Sequence, residues 1–180
     1  KLFDGVRVRC KTDAADISFF AVQPDTYLRH HQPALITGAP HPTAHMFFYG
    51  AYATLWRWKP HELDVYLLGL SDRDTRRTFP SVVRNEEGQY GTSSRYTAGT
   101  RLRGPLYSTD GVGTLGYGLE AAAQWGSVAG DDIRAGMVHA DLNYAWQRAW
   151  KPKLVLEGNL ATGDRKPGDG TSNTFNPLYG

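Results

Sequence analysis

Apolar residues recur at every second position along most of this chain. "FDGVRVRCK" sets Val6, Val8 and Cys10 against Arg7, Arg9 and Lys11. A period of two marks a strand whose two faces meet different surroundings. "ISFFAVQ" follows after the polar "TDAAD", and an aromatic-rich strand, "MFFYGAYATLWRW", begins near His45. "ELDVYLLGL" pairs with it across "KPH", where Pro60 marks a tight turn. "RYTAGTRLR" sets Tyr96, Ala98, Thr100 and Leu102 against Arg95, Arg101 and Arg103. "TLGYGLEAAAQW" and "AGMVHADLNYAW" continue the alternation, with Glu120 and Asp141 on the polar parity. "KLVLEGNLA" closes it, with Leu154, Leu156 and Leu160 opposite Glu157 and Asn159. About eight antiparallel up-and-down strands are predicted, and no segment carries a helical period.

The connections alternate in length. "TDAAD", "KPH" and "RAWKP" are short, with "GPLYSTDGVG" intermediate; between them lie loops from roughly Pro24 to Ala44 and from about Ser71 to Ser94, and the compact "GSVAGDD". Short turns at one end and longer loops at the other match a transmembrane barrel, and a soluble β-sandwich has no reason to keep that parity. Trp56, Trp58, Trp146 and Trp150 sit beside the short turns, whereas Trp125 and the Phe47 to Tyr49 cluster sit at the other end. Amphipathic rings at both strand ends are the expected girdles of the two lipid–water interfaces.

Composition changes this picture little. Twenty basic and eighteen acidic residues leave a formal charge of +2, too balanced to argue for nucleic acid. The single cysteine, Cys10, excludes an internal disulfide framework. Twenty glycines and 12% aromatic residues suit many short strands and turns. No stretch reaches the roughly 20 apolar residues of a membrane helix, but a barrel strand needs only about 10, half of them apolar. The chain opens mid-pattern, with neither an initiator Met nor a signal peptide, so it reads as a mature or internal fragment.

If the apolar parity meets lipid, the opposite parity meets the lumen. That set comprises Arg7, Arg9, Arg57, Arg95, Arg101 and Arg103, with Glu62, Asp64, Glu120, Asp141 and Glu157. Arg or Lys on the lipid face costs about 2–4 kcal/mol at the midplane, so energetics directs these groups inward. Arginine presents planar donors that match carboxylates and keeps its charge when partly desolvated. Interspersed acids prevent an anionic permeant from binding too tightly. The plainer alternative is that these charges pair across strands and merely fill the barrel.

Other candidate chemistry is weaker. His30, His31, His41 and His45 share a loop but show no recognised metal-ligand spacing. "GTLGYG" opens a strand, not the helix that a nucleotide-binding glycine motif requires; its glycines instead leave room for bulky neighbours. Glu62 and Asp64 are same-face strand neighbours, not a glycosidase pair. No catalytic constellation, cofactor site or metal site emerges.

The closing "ATGDRKPGDGTSNTFNPLYG" resembles the "SGD…PGDG…TFNPL(Y/F)" segment of the alginate export family of Gram-negative outer-membrane proteins. "LDVYLLGL" is similar to that family's "LDLYYLGLD" strand, and "FDGVRV" and "YTAGTRLRG" also resemble its pattern. The resemblance implies a large outer-membrane barrel with an arginine-rich constriction conducting a polyuronate. The expectation is therefore a non-enzymatic channel in the outer membrane of a Gram-negative bacterium. Its partners would be the lipid bilayer, an anionic saccharide or polysaccharide and periplasmic export proteins, with no nucleic acid. An outer-membrane barrel with enzymatic or adhesive loops, and a soluble β-barrel binding an apolar ligand, are the alternatives.

Within the closing segment, Gly163, Asp164, Gly168, Asp169 and Gly170 suit an extracellular loop turn. Asn176 and Pro177, in "TFNPLY", would fold it back toward the pore mouth. Pro167 and Pro177 oppose the helix that a phosphate cradle needs, and a calcium ion on Asp164 and Asp169 is the lesser reading.

Overall fold

The computed structural model describes residues 2–25, 46–73, 85 and 87–177, and every regular element among them is a strand. Eight long strands run in chain order: β1 (Leu2–Lys11), β2 (Ala15–Asp25), β3 (Met46–Leu55), β4 (Glu62–Asp72), β5 (Ser93–Thr109), β6 (Gly113–Val128), β7 (Asp131–Trp146) and β8 (Lys153–Ala161). Each pairs antiparallel with its neighbours in sequence, giving one up-and-down sheet. β1 and β8 do not pair with each other, so the sheet is open. A short strand, β9 (Thr171–Ser172), lies parallel to the start of β7.

Two connections differ from the expectation drawn from the sequence. "GPLYSTDGVG" is not a ten-residue link, because β5 continues through it to Thr109 and turns back within Asp110–Val112. A register shift between Pro105 and Tyr107 accommodates the proline, which has no N–H for the ladder. "GSVAGDD" likewise contributes to both strands, leaving Ala129 and Gly130 alone at the turn, with φ of 48° and 100°. Two left-handed residues form the tight hairpin turn whose twist suits antiparallel strands. Most of the Pro24–Ala44 loop, the four histidines His30, His31, His41 and His45, and residues 74–84 lie outside the described residues.

The register sorts side chains by face, since residues directly opposite each other across a ladder share a face. One face carries Val6, Val8, Phe19, Leu67, Leu119, Val138, Leu142, Leu156 and Leu160, all exposed. Leu156 and Leu160 are 71% and 76% exposed. On the other face, Asp64, Gln124 and Thr97 are 1%, 2% and 3% exposed. Polar groups are covered while aliphatic ones stand bare, the reverse of a water-soluble domain.

Aromatic rings bound the apolar face at both ends. Tyr49, Tyr96 and Trp125 share one register row, with Gly69 between the two tyrosines, and the Tyr96 and Trp125 rings stack with centroids 6.1 Å apart. At the short-turn end Trp146 lies opposite Gly113, and Trp58 and Trp150 project from the adjacent turns. About 40 Å of strand separates Trp125 from Gly113 at roughly 3.3 Å per residue. With the 35–45° tilt usual for barrel strands, that spans about 28–33 Å, close to the thickness of a bilayer core.

Candidate functional site

The polar face brings together ten of the eleven charged residues singled out from the sequence. Glu62 lies opposite Arg103, and Asp64 opposite Arg101, which in turn faces Glu120. Gly118, Asp141 and Glu157 form another row, while Arg95 lies on β5 and Arg7 and Arg9 on β1. Arg57 is the exception. The third strand stops at Leu55, and Arg57 falls in the turn over residues 57–60, so alternation assigns it no face. Had the strand continued, Arg57 would have stood in step with Tyr49 and Ala51 on the apolar face, where a charge is costly.

The charged groups are tied together across strands. Arg103 donates from Nε to Glu62 Oε2 at 2.8 Å, and its Nη2 lies 3.9 Å from Asp64 Oδ2. Asp64 is buried beneath these groups, beside Arg101 in the register. Arg9 forms a two-point pair with Asp16, donating from Nε to Oδ1 at 2.7 Å and from Nη2 to Oδ2. Two-point arginine–carboxylate pairing fixes orientation as well as charge. Arg7 and Arg95 bond neutral partners instead: Arg7 Nη2 donates to Ser18 Oγ at 2.9 Å, and Arg95 Nη1 to Gln124 Oε1 at 3.2 Å.

Tyrosines complete the surface. Tyr52 and Tyr66 stack with parallel rings 5.9 Å apart, and Tyr66 reaches past β5 to donate its hydroxyl to Glu120 Oε1 at 2.7 Å. Gly99 lies directly beneath that ring, where any Cβ would collide with it. Gly118 is likewise overlain by the Asp141 carboxylate, which also accepts from Asn143 Nδ2 at 2.9 Å. His139 bridges the same region, 2.7 Å from Asn159 Oδ1 and 3.6 Å from Asp141 Oδ2.

The closing segment folds over this face. Asp164 Oδ1 and Asp169 Oδ1 accept from the backbone N–H groups of Lys166 and Thr171, at 2.9 and 3.0 Å, each making a local turn. Gly168 and Gly170 hold positive φ of 91° and 78°. Thr162 anchors the return by accepting from Gly136 N–H and donating to Asn173 O. Asn176 then meets Gln124 through its backbone N–H and carbonyl, and Pro177 follows it. Among the described residues no three His, Cys, Asp or Glu side chains converge to hold a metal ion.

Sequence reasoning passed over Tyr52, Tyr66, Asp16 and Gln124. Tyrosine counts as apolar in an alternation, although its hydroxyl suits a polar wall. Asp16 belongs to the polar "TDAAD" that the sequence marks as a turn, and Gln124 carries no charge to attract notice. Strand parity alone would have placed all four on this face.

A family model described as "Alginate export" matches residues 1–180, the whole chain. No curated protein and no solved structure matched it.

Proposed function

The chain belongs to the alginate export family, and from that premise we propose that it forms part of the wall of an outer-membrane β-barrel channel for an anionic polysaccharide. The observation that carries this reading is the inverted polarity of the sheet. Leu156 and Leu160 stand exposed on one face, while Asp64 and Gln124 are buried on the other. An apolar surface bounded by aromatic rows suits hydrocarbon, and a face of arginines, acids and tyrosines suits an aqueous lumen. The bare edges of β1 and β8 would pair with further strands to close the barrel, because an open edge leaves backbone groups unsatisfied in lipid.

On this reading the permeant moves by diffusion along the polar face. Arg101 and Arg103 offer donors to its carboxylates, while Glu62, Asp64 and Glu120 compete for the same donors and keep each contact short-lived. Arg7 and Arg95, bonded to neutral partners, retain charge that a carboxylate can use. Tyr52 and Tyr66 supply flat, partly apolar surfaces against which sugar rings can slide. Transport by this route requires no covalent step.

Planar-bilayer recording tests the proposal. Under a salt gradient the reversal potential is expected to show anion preference, and a soluble polyuronate should block the current from one side. A cation-selective current indifferent to polyuronate would refute the permeant assignment. Absence of any current would refute the channel itself.

A further inference from the structure

Gln124 is a neutral side chain, 2% exposed, on the polar face near the long-loop end of β6. Every hydrogen-bonding position of its amide is used. Nε2 donates to Thr97 Oγ1 at 3.0 Å and to the Asn176 carbonyl at 2.6 Å. Oε1 accepts from Asn176 N–H at 3.0 Å and from Arg95 Nη1 at 3.2 Å. A primary amide has two donors and an acceptor oxygen with two lone pairs, so this one is saturated. Toward Asn176 it presents one donor and one acceptor, as a neighbouring strand would.

The segment that Gln124 holds is also fixed elsewhere among the described residues. β9 pairs with the beginning of β7, burying Ser172, and Thr162 bonds Gly136 on the sheet and, within the segment, Asn173 and the Phe175 N–H. Both of those lie at the sheet edge. Among the described residues, the contact with Gln124 carries the chain beyond Phe175 off the edge and over the polar face, at the long-loop end of β6.

We propose that Gln124 is a positioning residue for conduction: its amide clasps the 162–177 segment over the lumen face, and that segment sets the width of the pore at its long-loop end. The proposal rests on the channel reading and goes beyond it by naming what narrows the passage. Without the clasp the backbone N–H and carbonyl of Asn176 would have no partner on the wall, and water would replace it. The chain from Asn176 onward would then be free to leave the wall while Phe175 stays bonded to Thr162, leaving a wider opening.

Single-channel recording of the protein and two variants tests this. Gln124→Leu keeps the side chain's size and removes both halves of the clasp; it is expected to raise conductance about twofold, since flow through a constriction depends on its bore. Unchanged conductance in a properly inserted Gln124→Leu protein overturns the clasp. Asn176→Cys, in a Cys10→Ser background, covers the case in which Gln124→Leu fails to insert. Only the backbone of residue 176 enters the clasp, so this variant keeps it. A bulky anionic thiol reagent should then cut its current by about half, because the added group would lie over the passage. Current unaffected by that reagent also overturns the proposal. No current from the unsubstituted protein would refute the channel reading along with it, whereas normal current with unresponsive variants refutes the clasp alone.

Discussion

Tyr66 and Gly99 show how little freedom a single position on the polar face has. The tyrosine ring lies where a Cβ at residue 99 would stand, and its hydroxyl continues to Glu120 on the next strand. Gly99→Val should expel the ring and break that bond, destabilising the fold by about 1–3 kcal/mol as overpacking does. Gly158, with nothing within reach of an added Cβ, is the control, and urea unfolding of both variants makes the comparison. The charged residues are tested by function instead. Reversing Arg101 and Arg103 together to Glu should move the reversal potential toward cations, whereas unchanged selectivity would mean that these arginines only pair with Glu62 and Asp64. Such positions were readable from alternation because a charge on the wrong parity is expensive. Alternation gives Gln124 its face but not its role, which comes from a backbone partner 52 residues away.

At the scale of the strand, parity did most of the work. β1, β4 and β8 follow the alternation of their sequences, and the polar parity predicted for them is the face that the register assembles. Strand ends were less legible. β5 to β7 run 16 or 17 residues, longer than the apolar band requires, because glycines and polar residues beyond the band still pair. Composition there resembles a loop, and only the ladder reveals a strand. Arg57 fell on the other side of the same ambiguity, in a segment that alternates yet turns. The two faces predict opposite tolerances. Leu119→Arg, on the exposed apolar face near mid-strand, should cost about 2–4 kcal/mol in a bilayer, while Glu157→Arg on the polar face should cost far less. Equal losses in unfolding from lipid vesicles would deny any difference between the faces.

For the whole molecule, one partition of surfaces organises fold and function alike. Aliphatic side chains that no described part of the chain covers suit hydrocarbon, and a wall of ion pairs and tyrosine hydroxyls suits water. Family membership supplies the setting, and the two faces of the sheet are the basis of the proposed channel wall. The sequence already contained the partition but not the inward course of its closing segment, which depends on contacts with β6 and β7. The most direct test places nitroxide labels at Leu119, Val138 and Leu156, and separately at Arg101, Glu120 and Asp141, in bilayer-reconstituted protein. Oxygen, which concentrates in lipid, should relax the first set more strongly, and a water-soluble nickel chelate the second. Equal accessibility of both sets to the chelate, or the reverse assignment, would contradict the account.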